Sequence, residues 1–262
     1  MQDSLSIELK SFQDLWRGGY HEGDPLQPMS RSTYRSLGFM SILHATYLRC
    51  IRPYVNSQTV ALEIGPGRGA WTRTMLAARE VWVLDALSAE HNRFFEFLGN
   101  PQHIKYFQVE DLKCEMLPND YFDYMFSFGC LCHVSFQGLT EYAINLYPKL
   151  KKGSNCFWMI ADYEKYNAAV AMQDSLSISR CLVPAGRRYI PVRWFVRLLE
   201  KRVFNKPWTP VAADEHDDPV PGRWYNAGIQ RTCTMLTANG YEVLDRDVGT
   251  NHRDPIIHFV KP

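Results

Sequence analysis

The chain has 262 residues, which suits one large domain with additions and is short for two catalytic domains. Hydrophobic residues make up 46% of it, and its 29 basic and 28 acidic residues leave a formal net charge of +1, which argues against the concentrated basic face of a nucleic-acid binder. No apolar run of about 18 residues could span a bilayer, and the first residues lack the pattern of a signal peptide, so we expect a soluble, cytoplasmic protein that binds neither nucleic acid nor membrane.

The first part of the chain is polar and then becomes helical. Residues 1–35 are punctuated by glycine and proline, which is typical of loop with short helical turns. From Leu37 to about Tyr54, apolar residues recur at helical spacing until Pro53 closes the pattern. We therefore expect a helix to precede the first strand.

Strands and helices alternate from residue 60 onward. We predict strands over 60–64, 81–84, 105–109, 122–128 and 156–160, with helices over 71–78, 88–98 and 139–150. This alternation implies right-handed crossovers between parallel strands, so the fold class is an α/β domain built on a parallel sheet.

Residues 163–223 interrupt the alternation with a helical pattern and a proline-rich stretch. A helix over 226–239 and strands over 241–248 and 256–260 then complete the sheet. An insertion beside the last strands is where a substrate cap would lie, and an inert structural extension is the alternative. We predict a single domain over 1–262, in which residues 1–35 form an N-terminal lid and residues 163–223 form the cap.

A glycine-rich turn, Gly65-Pro66-Gly67-Arg68-Gly69, directly follows the first predicted strand. Ligands of open parallel sheets bind at the carboxyl ends of the strands, and glycines there let the backbone approach a ligand closely. A dinucleotide dehydrogenase would carry Gly-x-Gly-x-x-Gly, whereas the third glycine here comes one residue early. Glu63 would repel a pyrophosphate and suit a ligand with an ammonium and a sulfonium group. The segment therefore favours S-adenosylmethionine over NAD.

The run Glu-x-Gly-x-Gly-x-Gly after a first strand resembles the first motif of class I S-adenosylmethionine-dependent methyltransferases of the small-molecule type. The resemblance covers residues 58–162 well and 226–262 loosely. It implies a doubly wound, mostly parallel, seven-stranded sheet of Rossmann-like form. It also implies S-adenosylmethionine as the cofactor and S-adenosylhomocysteine as the product.

Four further segments stand in the family's order. Asp85, at the end of the second strand, matches the acidic residue that binds the ribose hydroxyls, and Glu110 or Asp111 would contact the adenine. The segments 121–134 and 147–154 resemble the fourth-strand motif and the turn before the fifth strand. The cofactor-binding residues that the resemblance implies are Glu63, Gly65, Pro66, Gly67, Gly69, Asp85, Ala86, Glu110, Asp111, Leu112 and Phe128. The structural alternatives are an ion pair for Glu63 and plain turn roles for Asp85 and Asp111.

Methyl transfer from a sulfonium has a neutral thioether as leaving group, so the reaction needs no general acid. A base is needed when the acceptor is an aliphatic or sugar hydroxyl. His133, which follows the fourth strand, is the candidate base, and the alternative is that it only shapes the pocket. Asp162, at the end of the fifth strand, would orient the acceptor.

Two other groupings could hold a metal ion. The acidic residues between 214 and 218 could bind Mg²⁺ or Ca²⁺, but a charged run between prolines is more often a solvated loop. Cys130 and Cys132 have no second pair at zinc-ligand spacing, so we expect the seven cysteines to be free, buried thiols. We therefore predict no metal site.

The sequence predicts an enzyme that methylates a small-molecule acceptor, at a hydroxyl oxygen of a sugar or secondary metabolite. One alternative is a protein or RNA methyltransferase. Residues 127–130 read Ser-Phe-Gly-Cys in place of Asn/Asp-Pro-Pro-aromatic, which disfavours amino-methylating enzymes of that type. The other alternative is a non-catalytic scaffold that binds S-adenosylmethionine.

Overall fold

A computed structural model describes residues 12, 16, 18–21, 23–29, 36–37, 40–171 and 224–262 of the chain. Seven of the strands form one sheet: β1 (Val60–Ile64), β2 (Glu80–Asp85), β3 (Ile104–Gln108), β4 (Phe122–Ser127), β5 (Leu150–Met159), β6 (Glu242–Asp245) and β7 (Ile256–Val260). Their order across the sheet is β3-β2-β1-β4-β5-β7-β6. Neighbours among β1–β5 pair in parallel, and β7 runs antiparallel to both β5 and β6. The predicted doubly wound, mostly parallel, seven-stranded sheet is confirmed.

Helices and helical turns cover the sheet. The α-helices are α1 (Ile42–Thr46), α2 (Phe94–Leu98), α3 (Phe136–Leu146) and α4 (Ile229–Ala238), and residues 163–171 are helical as well. A π-helical turn, Tyr47–Ile51, continues α1, and 3₁₀ turns lie at Thr72–Met75, Leu131–His133 and Tyr147–Lys149. One buried apolar cluster includes side chains of α3 and α4, and the other includes side chains of α1 and α2. All five residues of β1 are buried, as expected for a central strand covered on both faces.

Three predicted helices are shorter in the structure. Ser36–Leu37 pairs antiparallel with Met40–Ser41, so the first helix begins only at Ile42. The helix predicted over 71–78 is reduced to a 3₁₀ turn, where the Thr74 hydroxyl donates to the Trp71 carbonyl at 2.6 Å and competes with regular backbone pairing.

In the helix predicted over 88–98, Arg93 adopts a left-handed conformation with φ of 53°, and α2 begins only after it. A non-glycine residue in that region of the backbone map interrupts the α-helical path. The predictions over 139–150 and 226–239 correspond to α3 and α4 with shifted ends.

Within the described part of the chain, no helix is both long and apolar enough to cross a membrane. Nor does that part contain a group of three or more His, Cys, Asp or Glu side chains placed to hold a metal ion. The acidic run over 214–218 and nearly all of the proposed cap insertion over 163–223 lie outside the described residues.

Candidate functional site

The glycine-rich turn lies at the carboxyl end of β1, beside the point where the sheet order changes from β1 to β4. Gly65 and Gly67 adopt left-handed backbone conformations, with φ of 69° and 54°. A Cβ atom at Gly67 would stand 2.8 Å from the Tyr20 carbonyl oxygen, and one at Gly65 would overlap the side chain of Cys130. Both positions therefore require glycine for their conformation and for the close packing around the turn.

Asp85 ends β2 next to this turn, and backbone N–H groups fix its carboxylate. Gly67 N donates to Oδ2 at 3.1 Å and Leu87 N donates to Oδ1 at 2.9 Å. Burial raises the pKa of Asp85 to about 6, against the lowering effect of these hydrogen bonds and of one from Asn92. The carboxylate is therefore ionised at neutral pH and positioned to accept further hydrogen bonds.

Glu63 lies within β1 and is buried, with 1% of its surface exposed. The Thr72 hydroxyl donates to Glu63 Oε2 at 2.6 Å. Burial raises the pKa of Glu63 to about 8, and the hydrogen bond from Thr72 opposes that shift. Glu63 does not line the adjoining cavity, so its predicted interaction with a cationic ligand stays a prediction.

A cavity opens at this edge of the sheet, with about 430 Å³ of empty space counted out to its mouth. Backbone and polar groups of the sheet edge form part of its wall, and aromatic residues from the start of the chain form another part. The lining residues are Phe12, Trp16, Tyr20, Gly65, Gly67, Asp85, Leu87, Asn92, Gly129, Cys130 and His133.

A segment near the start of the chain packs across the glycine turn. We call Phe12, Trp16 and residues 18–21 the N-terminal strap. Arg68 holds this strap through two hydrogen bonds, from its Nε to the Gly18 carbonyl at 2.9 Å and from its backbone N to the Tyr20 carbonyl at 3.2 Å. The strap therefore supplies the aromatic part of the cavity wall.

His133 ends the 3₁₀ turn that follows β4, and its backbone N donates to the Cys130 carbonyl at 2.9 Å. Its imidazole packs against Trp16 with ring centroids 5.1 Å apart, and Trp16 in turn packs on Phe12 at 4.9 Å. His133 thus lies in the same cavity wall as Asp85, Gly65 and Gly67.

Asp162 lies outside the cavity that Asp85 and His133 line. Its Oδ1 accepts from Lys165 N at 2.7 Å, in the first turn of the helical residues 163–171, and its Oδ2 accepts from Ile229 N at 2.8 Å at the start of α4. Asp162 therefore holds two helix starts and does not line the cavity that Asp85 and His133 share.

The remaining predicted cofactor residues also lie outside the cavity lining. Leu112 is buried in the apolar core, Glu110 is exposed, and Asp111 Oδ1 accepts from Lys113 N at 2.9 Å. Phe128 is buried against Trp71 at a centroid distance of 4.6 Å. Pro66 and Gly69 of the glycine turn, and Ala86 after β2, do not line the cavity either. Their roles in cofactor binding stay predictions.

Several lining residues were not predicted from the sequence. Phe12, Trp16 and Tyr20 belong to residues 1–35, for which the sequence predicts only a general lid role. The available signal is three aromatic side chains at four-residue intervals in a mainly polar segment. Asn92 lies in the turn before α2 and Cys130 in the short loop after β4, where no sequence spacing distinguishes a site residue from a packing residue.

Searches against protein-family models and against curated protein sequences find no match. Solved structures do match. An S-adenosylmethionine-dependent methyltransferase from Mesorhizobium loti is 15% identical with a TM-score of 0.53, over 84% of this chain and 98% of that one. The N-methyltransferase NodS from Bradyrhizobium japonicum WM9, in complex with S-adenosylhomocysteine, is 13% identical with a TM-score of 0.50, over 84% of this chain and 88% of that one. By its strand order and by these likenesses, the chain has the fold of class I S-adenosylmethionine-dependent methyltransferases.

Proposed function

We propose that the protein transfers a methyl group from S-adenosylmethionine to a small-molecule acceptor, at a hydroxyl oxygen of a sugar or secondary metabolite. One observation carries the proposal. The backbone of Gly65 and Gly67 and the carboxylate of Asp85 line one cavity at the carboxyl ends of β1 and β2. This is the place where ligands of open α/β sheets bind.

The residues present fit S-adenosylmethionine. The glycine turn exposes backbone to the cavity without side chains in the way, and Asp85 offers a carboxylate for a pair of hydroxyl groups. The spacing Gly-x-Gly-x-Gly, one residue shorter than Gly-x-Gly-x-x-Gly, disfavours a dinucleotide. Both similar structures are of methyltransferases, and one of them contains S-adenosylhomocysteine.

Three residues of the cavity wall would hold the cofactor in the proposed reaction. Gly65 and Gly67 give the cofactor close access to the backbone, and Asp85 accepts hydrogen bonds from its ribose. Bound S-adenosylmethionine supplies an electrophilic methyl group on a sulfonium. Because the leaving group is a neutral thioether, no residue has to donate a proton.

His133 is the proposed general base. It would accept the hydroxyl proton of the acceptor at an imidazole nitrogen, which would make the acceptor oxygen a stronger nucleophile toward the methyl group. The location of His133 in the cavity wall supports this role. Asp162 remains the second candidate, as an orienting group, although both of its oxygens accept backbone hydrogen bonds.

Residues 1–35 and the insertion over 163–223 are proposed to close over the bound ligands, the first as a lid and the second as a substrate cap. The contacts of Trp16 and Tyr20 with the cavity support the first part of this proposal. Closure would exclude water from the reacting groups. Hydrogen exchange with cofactor and acceptor present should show protection in residues 1–35 and 163–223, and unchanged exchange in both segments would contradict the proposal.

The decisive experiment incubates the protein with isotopically labelled S-adenosylmethionine and a metabolite extract, followed by mass spectrometry. A labelled small molecule that wild type forms, and that Asp85→Asn forms much more slowly at subsaturating cofactor, supports the proposal. Label in protein or RNA supports the alternative of a macromolecular acceptor. Cofactor binding without any labelled product supports a non-catalytic scaffold, and tighter binding of NAD than of S-adenosylmethionine would refute the cofactor assignment.

A further inference from the structure

Asn92 is a fully buried polar residue that lines the cavity, and the proposed reaction leaves it without a role. It stands beside Asp85, since a hydrogen bond from its side chain lowers the pKa of that carboxyl. Its backbone carbonyl lies directly under the strap, where a Cβ atom at Gly19 would approach that oxygen too closely. Asn92 therefore lies between the carboxylate and the strap.

The orientation of the Asn92 amide follows from its neighbours. Asn92 Nδ2 lies 2.8 Å from the Tyr106 hydroxyl oxygen, and that hydroxyl donates to the Leu87 carbonyl at 2.7 Å. A carbonyl can only accept, so the Tyr106 hydrogen is committed to Leu87. The Tyr106 oxygen must then accept from Asn92, which places the amide NH₂ toward Tyr106 and Oδ1 away from it.

Oδ1 of Asn92 is left without a hydrogen-bond partner within the described part of the chain, although it is buried. Buried acceptors are nearly always paired in folded proteins, and one without a partner is destabilising. An acceptor of this kind in the wall of a ligand cavity would be satisfied by a donor on the ligand.

We propose that Asn92 Oδ1 accepts a hydrogen bond from a ribose hydroxyl of the bound cofactor, alongside Asp85. The inference rests on the proposed function. Each Asp85 oxygen already accepts one backbone N–H, so a second acceptor beside it would share the two hydroxyl groups of a ribose. A neutral amide does this without the repulsion that a second carboxylate would experience next to Asp85.

The test is a double-mutant cycle between the protein and the ligand, measured by titration calorimetry on the full chain. Wild type and Asn92→Ala are titrated with S-adenosylhomocysteine and with its 2′-deoxy and 3′-deoxy analogues. Asn239→Ala is the matched control, because its partly buried amide also donates to one carbonyl, that of Met235 at 2.9 Å, and lies outside the cavity.

We expect Asn92→Ala to weaken binding of S-adenosylhomocysteine about fivefold to tenfold, the range of one neutral hydrogen bond. For the analogue that lacks the bonded hydroxyl, the loss should shrink to about twofold or less. An equal loss for all three ligands, or no loss for any, would overturn the inference. If Asn92→Ala does not fold, Asn92→Ser replaces it in the same cycle. Absence of binding by wild type would instead refute the proposed cofactor, and this inference with it.

Discussion

Replacing Asp85 with asparagine tests the proposed cofactor site most directly. In wild type, each carboxylate oxygen accepts a backbone N–H, from Leu87 at 2.9 Å and from Gly67 at 3.1 Å, and keeps a lone pair for a ligand hydroxyl. Asparagine offers one oxygen, and its NH₂ group would oppose one of those N–H donors. One ligand hydroxyl then loses a charge-assisted acceptor, which is worth about 1.5–3 kcal/mol. The dissociation constant for S-adenosylhomocysteine should therefore rise about 10- to 150-fold.

The same substitution should leave the folded protein nearly as stable. The pKa of Asp85 is raised from 3.8 to about 6 in the folded state, so the folded state disfavours the ionised form. As the pH rises from 3.8 to about 6, the free energy of unfolding of wild type therefore falls by on the order of 2–3 kcal/mol. Asparagine is never ionised, so it avoids the cost of burying a charge. This gain offsets the repulsion between its NH₂ group and the backbone N–H that it would face. We expect the free energy of unfolding at pH 7 to change by about 1 kcal/mol or less.

Calorimetric titration at several pH values completes the assay. Wild-type affinity should fall about tenfold between neutral pH and pH 5, because Asp85 becomes protonated below about pH 6, whereas the variant should show no such slope. Asp120→Asn is the matched control, since Asp120 is an exposed carboxylate before β4 whose positive φ of 47° also suits asparagine. A folded Asp85→Asn protein that binds within twofold of wild type would refute the reasoning.

Three further substitutions test other parts of the site. His133→Gln should lower turnover about 10²–10⁴-fold at unchanged cofactor affinity and remove an ionisation from the pH–rate profile; near-normal turnover would instead direct attention to Asp162. Arg68→Ala removes the 2.9 Å bond to the Gly18 carbonyl, so we expect faster hydrogen exchange in the strap and about three- to tenfold weaker cofactor binding, and an unchanged strap would contradict this. Glu63→Gln should flatten the pH dependence of stability: wild type should lose about 1.4 kcal/mol per pH unit as pH rises from 4.5 toward 8, because the folded-state pKa is raised to about 8. Denaturant unfolding at three pH values measures the last effect, and parallel curves for the two proteins would exclude it.

The sheet could be predicted because its strands carry their own signal. Apolar runs such as 60–64 are bounded by turn residues, and their burial on both faces follows from their composition. The short helices were harder to place. The Thr74 hydroxyl limits the helix predicted over 71–78 to a 3₁₀ turn, and the left-handed Arg93 delays the start of α2. Neither feature alters the apolar spacing that indicates a helix in the sequence.

The site was predicted where it follows the sheet and missed where it depends on distant contacts. Gly65, Gly67, Asp85 and His133 all follow strand ends, and the structure brings them to one cavity. Trp16 reaches the same cavity from a segment more than 40 residues before β1, and nothing in the spacing of a polar segment fixes where it will pack.

The packing of Cys130 against Gly65 gives the protein a built-in chemical reporter. Among the six cysteines that the structure describes, five are buried, and only Cys130 is partly exposed, in the cavity wall. Burial raises the pKa of the thiols of Cys50, Cys114, Cys132, Cys156 and Cys233, which slows their reaction with alkylating reagents. A small maleimide or iodoacetamide should therefore label Cys130 ahead of those five, and occupation of the cavity should protect it. The labelling rate then measures ligand occupancy without any knowledge of the methyl acceptor.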